Sequence, residues 1–145
     1  MPIDIPTLDI TALIPEIVVI VTALLVMLFD LFVSDKRVTG YLSLLGLIGA
    51  AIACFWLLGQ PSVPTFQDMA IGDGYALILD LIFIVAAILS VLIALNYLHG
   101  KGMQQGEYYT LILFATSGMM LMGAATDLIM VFLGLEIMSI ALYVL

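Results

Sequence analysis

The chain is divided into long apolar runs, and each run is close to the length that a helix needs to cross a lipid bilayer. Five such segments can be read, at residues 10–32, 41–58, 75–97, 108–125 and 128–145. Apolar residues make up 65% of the 145 residues and charged residues only 10%, which is more apolar surface than a soluble domain of this size could bury. We therefore predict an all-α membrane protein with five transmembrane helices.

The basic residues indicate how these helices are oriented. Lys36 and Arg37 lie between the first two segments and Lys101 lies between the third and fourth, so all three fall on one side of a five-helix protein. The other side has acidic residues only: Asp4, Asp9, Asp68, Asp73 and Asp127. Because cytoplasmic loops are enriched in Lys and Arg, we predict that the N-terminus lies outside and the Lys36 loop in the cytoplasm.

The segments that flank the helices give two further expectations. The N-terminus has acids and no basic residue, so it does not resemble a signal peptide, and the first segment is expected to be retained as a spanning helix. Residues 59–74, with two prolines, are predicted to form an external loop. After Tyr143 no polar flank follows, so we expect the protein to continue beyond Leu145.

Small residues recur at helical spacing in two segments, a pattern that allows helices to approach closely in lipid. They are Gly46, Gly49, Ala50, Ala53 and Cys54 in the second segment and Ala115, Gly118, Met122 and Gly123 in the fourth. We interpret both stripes as helix-packing faces.

Glu136 is the acidic residue placed deepest in an apolar segment. It follows Asp127 by nine residues, and no Lys or Arg is near it in the sequence. At a rise of about 1.5 Å per residue, its carboxyl lies roughly 13 Å into the segment, near the middle of a bilayer. An ionised carboxylate at that depth costs about 3 kcal/mol or more, so an acid in this position is by default a candidate functional residue.

Two interpretations of a buried Glu136 differ in function. A protonated carboxyl hydrogen-bonded to a neighbouring helix would be purely structural, because burial favours the neutral form. A carboxyl that gains and loses a proton in each cycle would be a proton carrier. We favour proton transfer, with Ser139 and Tyr143 as supporting residues because they follow on the same helical face.

Three other acids lie in or beside apolar segments. Glu16 and Asp30 bracket thirteen residues, a rise of about 20 Å, whereas a bilayer core is about 30 Å thick. At least one of these carboxyls must therefore approach the apolar region or face protein, although anchoring at the interface is the simpler interpretation. Asp80, near the outer end of the third segment, is expected to be water-accessible or hydrogen-bonded, and we assign it no role.

Residue counts limit the cofactors that this chain could bind by itself. It has one cysteine, Cys54, and one histidine, His99. A cysteine-ligated iron–sulfur cluster, a bis-histidine haem or a zinc cluster needs more ligands of these types than that. We predict no metal or cofactor site in this chain, and any redox centres are expected elsewhere.

Several stretches resemble the N subunit of bacterial NADH:quinone oxidoreductase, respiratory complex I. The most specific is FLGLEIMS at residues 132–139, and it is accompanied by GEYYTL at 106–111 and AATDL at 124–128. LIPEI at 13–17 and DLF at 30–32 are similar to that subunit's first helix. DGYA at 73–76 is similar to the start of its third helix. The likeness covers nearly the whole chain.

The resemblance implies a multi-pass, proton-pumping, antiporter-like subunit of the bacterial inner (plasma) membrane. In that family three helices precede two inverted-topology repeats of five helices. Residues 1–107 would then be the N-terminal three-helix segment, and 108–145 the first two helices of the first repeat. Glu136 matches a family glutamate that pairs with a lysine on a later helix, and no apolar segment here contains a lysine.

The resemblance also implies the surroundings of the chain. The chain would be a membrane subunit of an enzyme, a proton translocase, that couples quinone reduction elsewhere to proton pumping. Expected partners are the neighbouring antiporter-like and small helical subunits of the membrane arm and the lipid bilayer, with no nucleic acid. NADH, FMN, iron–sulfur clusters and quinone would be bound by other subunits, with no redox chemistry in this chain.

Two other functions remain open from the sequence. One is a large subunit of an Mrp-type cation/proton antiporter, which shares the fold and the glutamate, although Glu107 with its two tyrosines and the Pro15–Glu16 pair favour complex I. The other is a structural membrane subunit without a transport role. Lysines in apolar segments after Leu145 would argue against a structural role.

Overall fold

The computed structural model describes residues 13–60, 64–65, 70–71, 74–103 and 105–145. These ranges contain five helices: α1 (Ile14–Phe32), α2 (Lys36–Leu58), α3 (Gly74–Lys101), α4 (Gly106–Ala124) and α5 (Leu128–Val144). Two short strands between α2 and α3, β1 (Pro64–Thr65) and β2 (Ala70–Ile71), pair antiparallel. The prediction of five helical segments is confirmed. Asp4, Asp9, Asp68, Asp73, the start of the first segment and most of the 59–74 loop lie outside the described residues.

Local side chains determine where the helices begin and end. Asp35 caps α2 by accepting a hydrogen bond from the Arg37 backbone N–H at 3.0 Å, so α2 starts before residue 41, where the apolar run begins. The two basic residues predicted to lie in a loop are therefore in its first turn. Asp127 caps α5 in the same way, with the Ile129 N–H at 3.1 Å. Gly102, at φ 66°, ends α3 in the left-handed region that favours glycine.

Three helices in the described part of the chain, α1, α2 and α3, are long and apolar enough to cross a membrane. α5 is apolar but has 17 residues, a length of about 26 Å. α4 has 19 residues, with Glu107 in its first turn and buried hydroxyl side chains at Thr110, Thr116 and Ser117. The length and apolar composition of these helices are those of a membrane protein.

α4 is the central helix of the bundle. It packs against α1, α2, α3 and α5, and 11 of its 19 residues are buried. α5 lies at the edge, and its packing within the bundle is mainly on α4. The buried residues of α5 are Gly134 and Ala141, so most of this helix faces outward.

The small-residue stripes lie at helix contacts, as predicted. Ala50 and Cys54 are fully buried, and Gly46 packs directly against the Thr22 side chain of α1. In α4, Gly118 lies against Gly134 of α5. Large apolar side chains cover the outer surface of α1–α3 instead, as in helices that face lipid.

Candidate functional site

Glu136 occupies the middle of α5. Of the 17 residues from Leu128 to Val144 it is the ninth, so about 12 Å of helix lies on each side of it. The neighbouring turns are apolar, with Phe132, Leu133 and Ile140 all at least half exposed. The depth predicted from the sequence is therefore consistent with the helix bounds.

The burial expected of Glu136 stays a prediction, because among the described residues its side chain is exposed. The reason lies in the packing of α5, which contacts α4 through Gly134 and Ala141. Glu136 follows Gly134 by two residues, a rotation of about 200°, and so it points away from α4. The carboxyl and the apolar side chains around it form one outward face of α5.

The two predicted supporting residues differ in their surroundings. Ser139 is half-buried, whereas Tyr143 is 86% exposed. Within the described ranges no hydrogen bond joins either of them to Glu136. Their helical spacing keeps all three side chains on one side of α5, but the structure does not bring them into contact.

The buried acids of the bundle are Glu16 and Asp80, each only 1% exposed. Glu16 lies in the first turn of α1 and Asp80 lies in the second turn of α3, and the two carboxyls are close enough to interact with each other. The interpretation of Glu16 as an interface anchor is therefore wrong, and so is water access for Asp80. Hydrogen bonding of Asp80, the other expectation, stays a prediction, because its buried Oδ1 has no partner among the described residues.

The carboxyl pair is enclosed by apolar and weakly polar groups. The fully buried Cys54 of α2 is close enough to interact electrostatically with both carboxyls. Leu13, Ala76 and Ala124 form a small apolar cluster at the same end of the bundle. Among the described residues no donor reaches Glu16 Oε2 or Asp80 Oδ1, although both atoms are buried.

A third acid, Asp30, is compensated by a cation at the opposite end of the bundle. Lys36 Nζ lies 2.7 Å from Asp30 Oδ1 and also donates a hydrogen bond of 2.8 Å to the Asp30 carbonyl oxygen. The Asp30 carboxylate packs against Gly106 at the start of α4, where a helix N-terminus favours negative charge. Lys36 thus links α1 to α2, in addition to its predicted role in topology.

No group of three or more His, Cys, Asp or Glu side chains in the described residues is arranged to hold a metal ion. The candidate functional groups that the described residues do present are carboxyls. Two of their positions lack a cation among the described residues: the exposed Glu136 on α5 and the buried Glu16 and Asp80 on α1 and α3.

Comparison with known proteins identifies relatives of the chain, although no family model matches it. The chain is 45% identical over 144 residues to NADH-quinone oxidoreductase subunit N of Chloroflexus aggregans, which covers 97% of the chain and 29% of that protein. It is 43% identical over 142 residues to the subunit N of Trichlorobacter lovleyi, covering 96% of the chain and 29% of the relative.

A third relative, NADH-quinone oxidoreductase subunit N 1 of Herpetosiphon aurantiacus, is 39% identical over 146 residues. That match covers 94% of the chain and 30% of the relative. The chain thus spans less than a third of the length of these proteins, while they cover nearly all of it. The chain belongs to the family of NADH-quinone oxidoreductase subunit N.

Proposed function

We propose that this chain is part of a proton-translocating membrane-arm subunit of NADH:quinone oxidoreductase, and that Glu136 takes part in proton transfer. The observation that carries the proposal is an acid at the centre of an apolar helix, on a face that the described residues leave exposed. An exposed carboxylate in hydrocarbon is unfavourable by about 3 kcal/mol or more, so this face must contact protein or water.

The remaining length of the subunit supplies what would cover Glu136. The relatives are about three times as long as this chain, and no lysine occurs in α5 or in any helix interior here. A lysine from a later helix, placed beside Glu136, would compensate its charge in a low-dielectric environment. We propose that later helices pack on the outward face of α5 and provide that lysine.

Separation of such a charge pair would release a proton. While the glutamate stays ionised beside it, the lysine is held in its charged form; when the two move apart, the isolated lysine loses its proton more readily. Quinone reduction elsewhere in the complex would drive this separation. Glu136 is then a charge that controls a neighbouring proton carrier, and Ser139 and Tyr143 would face the same interface.

The orientation, the number of spans and the partners follow from the same proposal. α1 to α5 all cross the bacterial inner membrane, with the N-terminus outside and the Lys36 turn in the cytoplasm, and α4 and α5 begin the inverted repeat. Neighbouring antiporter-like and small helical subunits are the protein partners. NADH, FMN, iron–sulfur clusters and quinone are bound by other subunits.

The test is a Glu136→Gln substitution in the full-length subunit, assembled in its complex. Gln has nearly the same shape and cannot ionise, so we expect NADH-driven acidification of proteoliposomes to fall to a minor fraction of the wild-type signal. The matched control is Glu107→Gln, the same change at an exposed acid in the first turn of α4, which should leave pumping unchanged.

Assembly of both variants is checked by native gel electrophoresis. Undiminished pumping by an intact Glu136→Gln complex would contradict the role of this residue. Purification of the full-length protein without a flavin- and iron–sulfur-containing partner, but with cation/proton exchange, would favour an Mrp-type antiporter instead.

A further inference from the structure

Among the described residues, the Glu16–Asp80 pair has no compensating cation. The Lys and Arg residues are Lys36, Arg37 and Lys101, all at the other end of the bundle. Along α2, about 27 Å of helix separates Lys36 from Cys54, which lies near the pair. Along α3, about 32 Å separates Asp80 from Lys101. No cationic side chain occurs in residues 1–12, 61–73 or 104 either.

Two adjacent carboxylates in this environment cannot both remain ionised. Each residue is 1% exposed, so neither charge is stabilised by bulk water, and two negative charges at close range would repel each other. Two deprotonated carboxyls also have acceptors only, and no other described residue donates to Glu16 Oε2 or Asp80 Oδ1. A hydrogen bond between the two carboxyls, which would satisfy these buried oxygens, therefore requires a bound proton.

We propose that Glu16 and Asp80 form a proton-binding site, separate from Glu136, in which the two carboxyls share one proton between α1 and α3. The bound proton makes one carboxyl a donor and reduces the net charge of the pair from two negative charges to one. The site lies about two helical turns or less from one end of the bundle, the outer end in the predicted orientation. It does not depend on the pumping role of Glu136.

Other ionisable groups near the pair do not supply the missing charge. The Cys54 thiol of α2 is neutral when protonated and adds negative charge when it is not. Asp127, in the turn between α4 and α5, is an acid that caps the Ile129 N–H. α4 contributes Ala124 to the cluster at this end, and neither Leu13 nor Ala76 in that cluster is ionisable. A bound proton is the simplest ligand for such a site, because it also supplies the missing donor.

The test is infrared difference spectroscopy on the full-length protein, purified with the subunits that accompany it. A protonated carboxyl has a C=O stretching band that shifts in D₂O and is absent from an ionised carboxylate. We expect the wild-type protein to retain such a band in alkaline buffer, and the double variant Glu16→Gln/Asp80→Asn to lose it completely. Glu107→Gln, which changes an exposed acid, should retain it.

Three outcomes would overturn the proposal. They are a wild-type protein without the alkaline band, a band of unchanged intensity in the double variant, and a band that disappears when Na⁺, K⁺ or Ca²⁺ is added at constant pH. The last would identify a cation site. If the double variant does not assemble, the single variants replace it. In each of them the new amide donates to the remaining carboxylate, so the band should again be lost.

Discussion

Gly118 of α4 and Gly134 of α5 face each other where these helices cross. A Cβ atom on Gly118 would lie 2.7 Å from the Gly134 carbonyl oxygen, and one on Gly134 would lie 2.8 Å from the Gly118 carbonyl oxygen. Both obstructing atoms belong to the backbone, so only a movement of the helices could relieve the overlap. The two glycines therefore set the distance between α4 and α5.

Alanine at either glycine should weaken the packing of α5. Overpacking of a close contact of this kind costs about 1–3 kcal/mol, and we expect Gly118→Ala and Gly134→Ala each to lower the thermal unfolding temperature of the full-length protein in detergent. Gly100→Ala is the control, because nothing lies within 4 Å of its added Cβ and alanine is the better helix former. Equal unfolding temperatures for all three variants would contradict the close crossing.

Removing Lys36 alone should destabilise the folded protein more than removing both members of the Asp30–Lys36 ion pair. In Lys36→Met the Asp30 carboxylate, whose side chain is 14% exposed, keeps its charge but loses its partner. A hydrogen bond to a charged group contributes about 1.5–3 kcal/mol, and we expect a destabilisation of that order. The double variant Asp30→Asn/Lys36→Met should be more stable than Lys36→Met, in chemical or thermal unfolding of the detergent-solubilised protein.

The control for this pair is Arg37→Met, which removes an exposed basic residue from the same helical turn. It should leave stability nearly unchanged, because an exposed charge contributes about 0–1 kcal/mol. The single variant Asp30→Asn completes the comparison. If the stability changes of Asp30→Asn and Lys36→Met add up to that of the double variant, Asp30 and Lys36 are not coupled.

The orientation of the bundle can be measured by cysteine labelling on intact cells. Ser34 and Met103 lie at the basic end and Gln60 at the other, and all three are exposed. With the basic end in the cytoplasm, a membrane-impermeant maleimide should label Gln60→Cys from outside and the other two cysteines only after permeabilisation. The reverse pattern would show the opposite orientation. Cys54 is buried and should not react.

The helices could be predicted from the sequence because each is a long, mostly apolar run. The predicted boundaries differ from the observed ones where a helix continues into polar residues. α2 begins at Lys36 rather than at residue 41, and the signal was Asp35, a favourable N-cap residue directly before it. α3 continues through His99 to Lys101, because a helix does not end where the apolar face ends.

The carboxyl pair could not be predicted from either acid alone. Glu16 and Asp80 lie on different helices, and their contact depends on how α1 and α3 are arranged around α2 and α4. A weaker signal was present: both acids lie at the acidic end of their segments, far from every basic residue. Two uncompensated acids at one end of a small bundle are candidates for a shared proton.

For Glu136 the sequence predicts the depth but not the environment. Depth follows from residue count, which the bounds of α5 support. Whether a side chain is covered depends on which helices surround it, and the described residues place only α4 firmly against α5. The expected contact with Ser139 and Tyr143 stays a prediction for the complete subunit.

The central position of α4 has a mechanical consequence. Because α5 rests mainly on α4, and α4 also touches α1, α2 and α3, a tilt or rotation of α5 is passed to the first three helices through one shared neighbour. The close backbone contact between Gly118 and Gly134 allows little movement of α5 relative to α4. A displacement of α5 would thus be transmitted to α1, α2 and α3 through their contacts with α4.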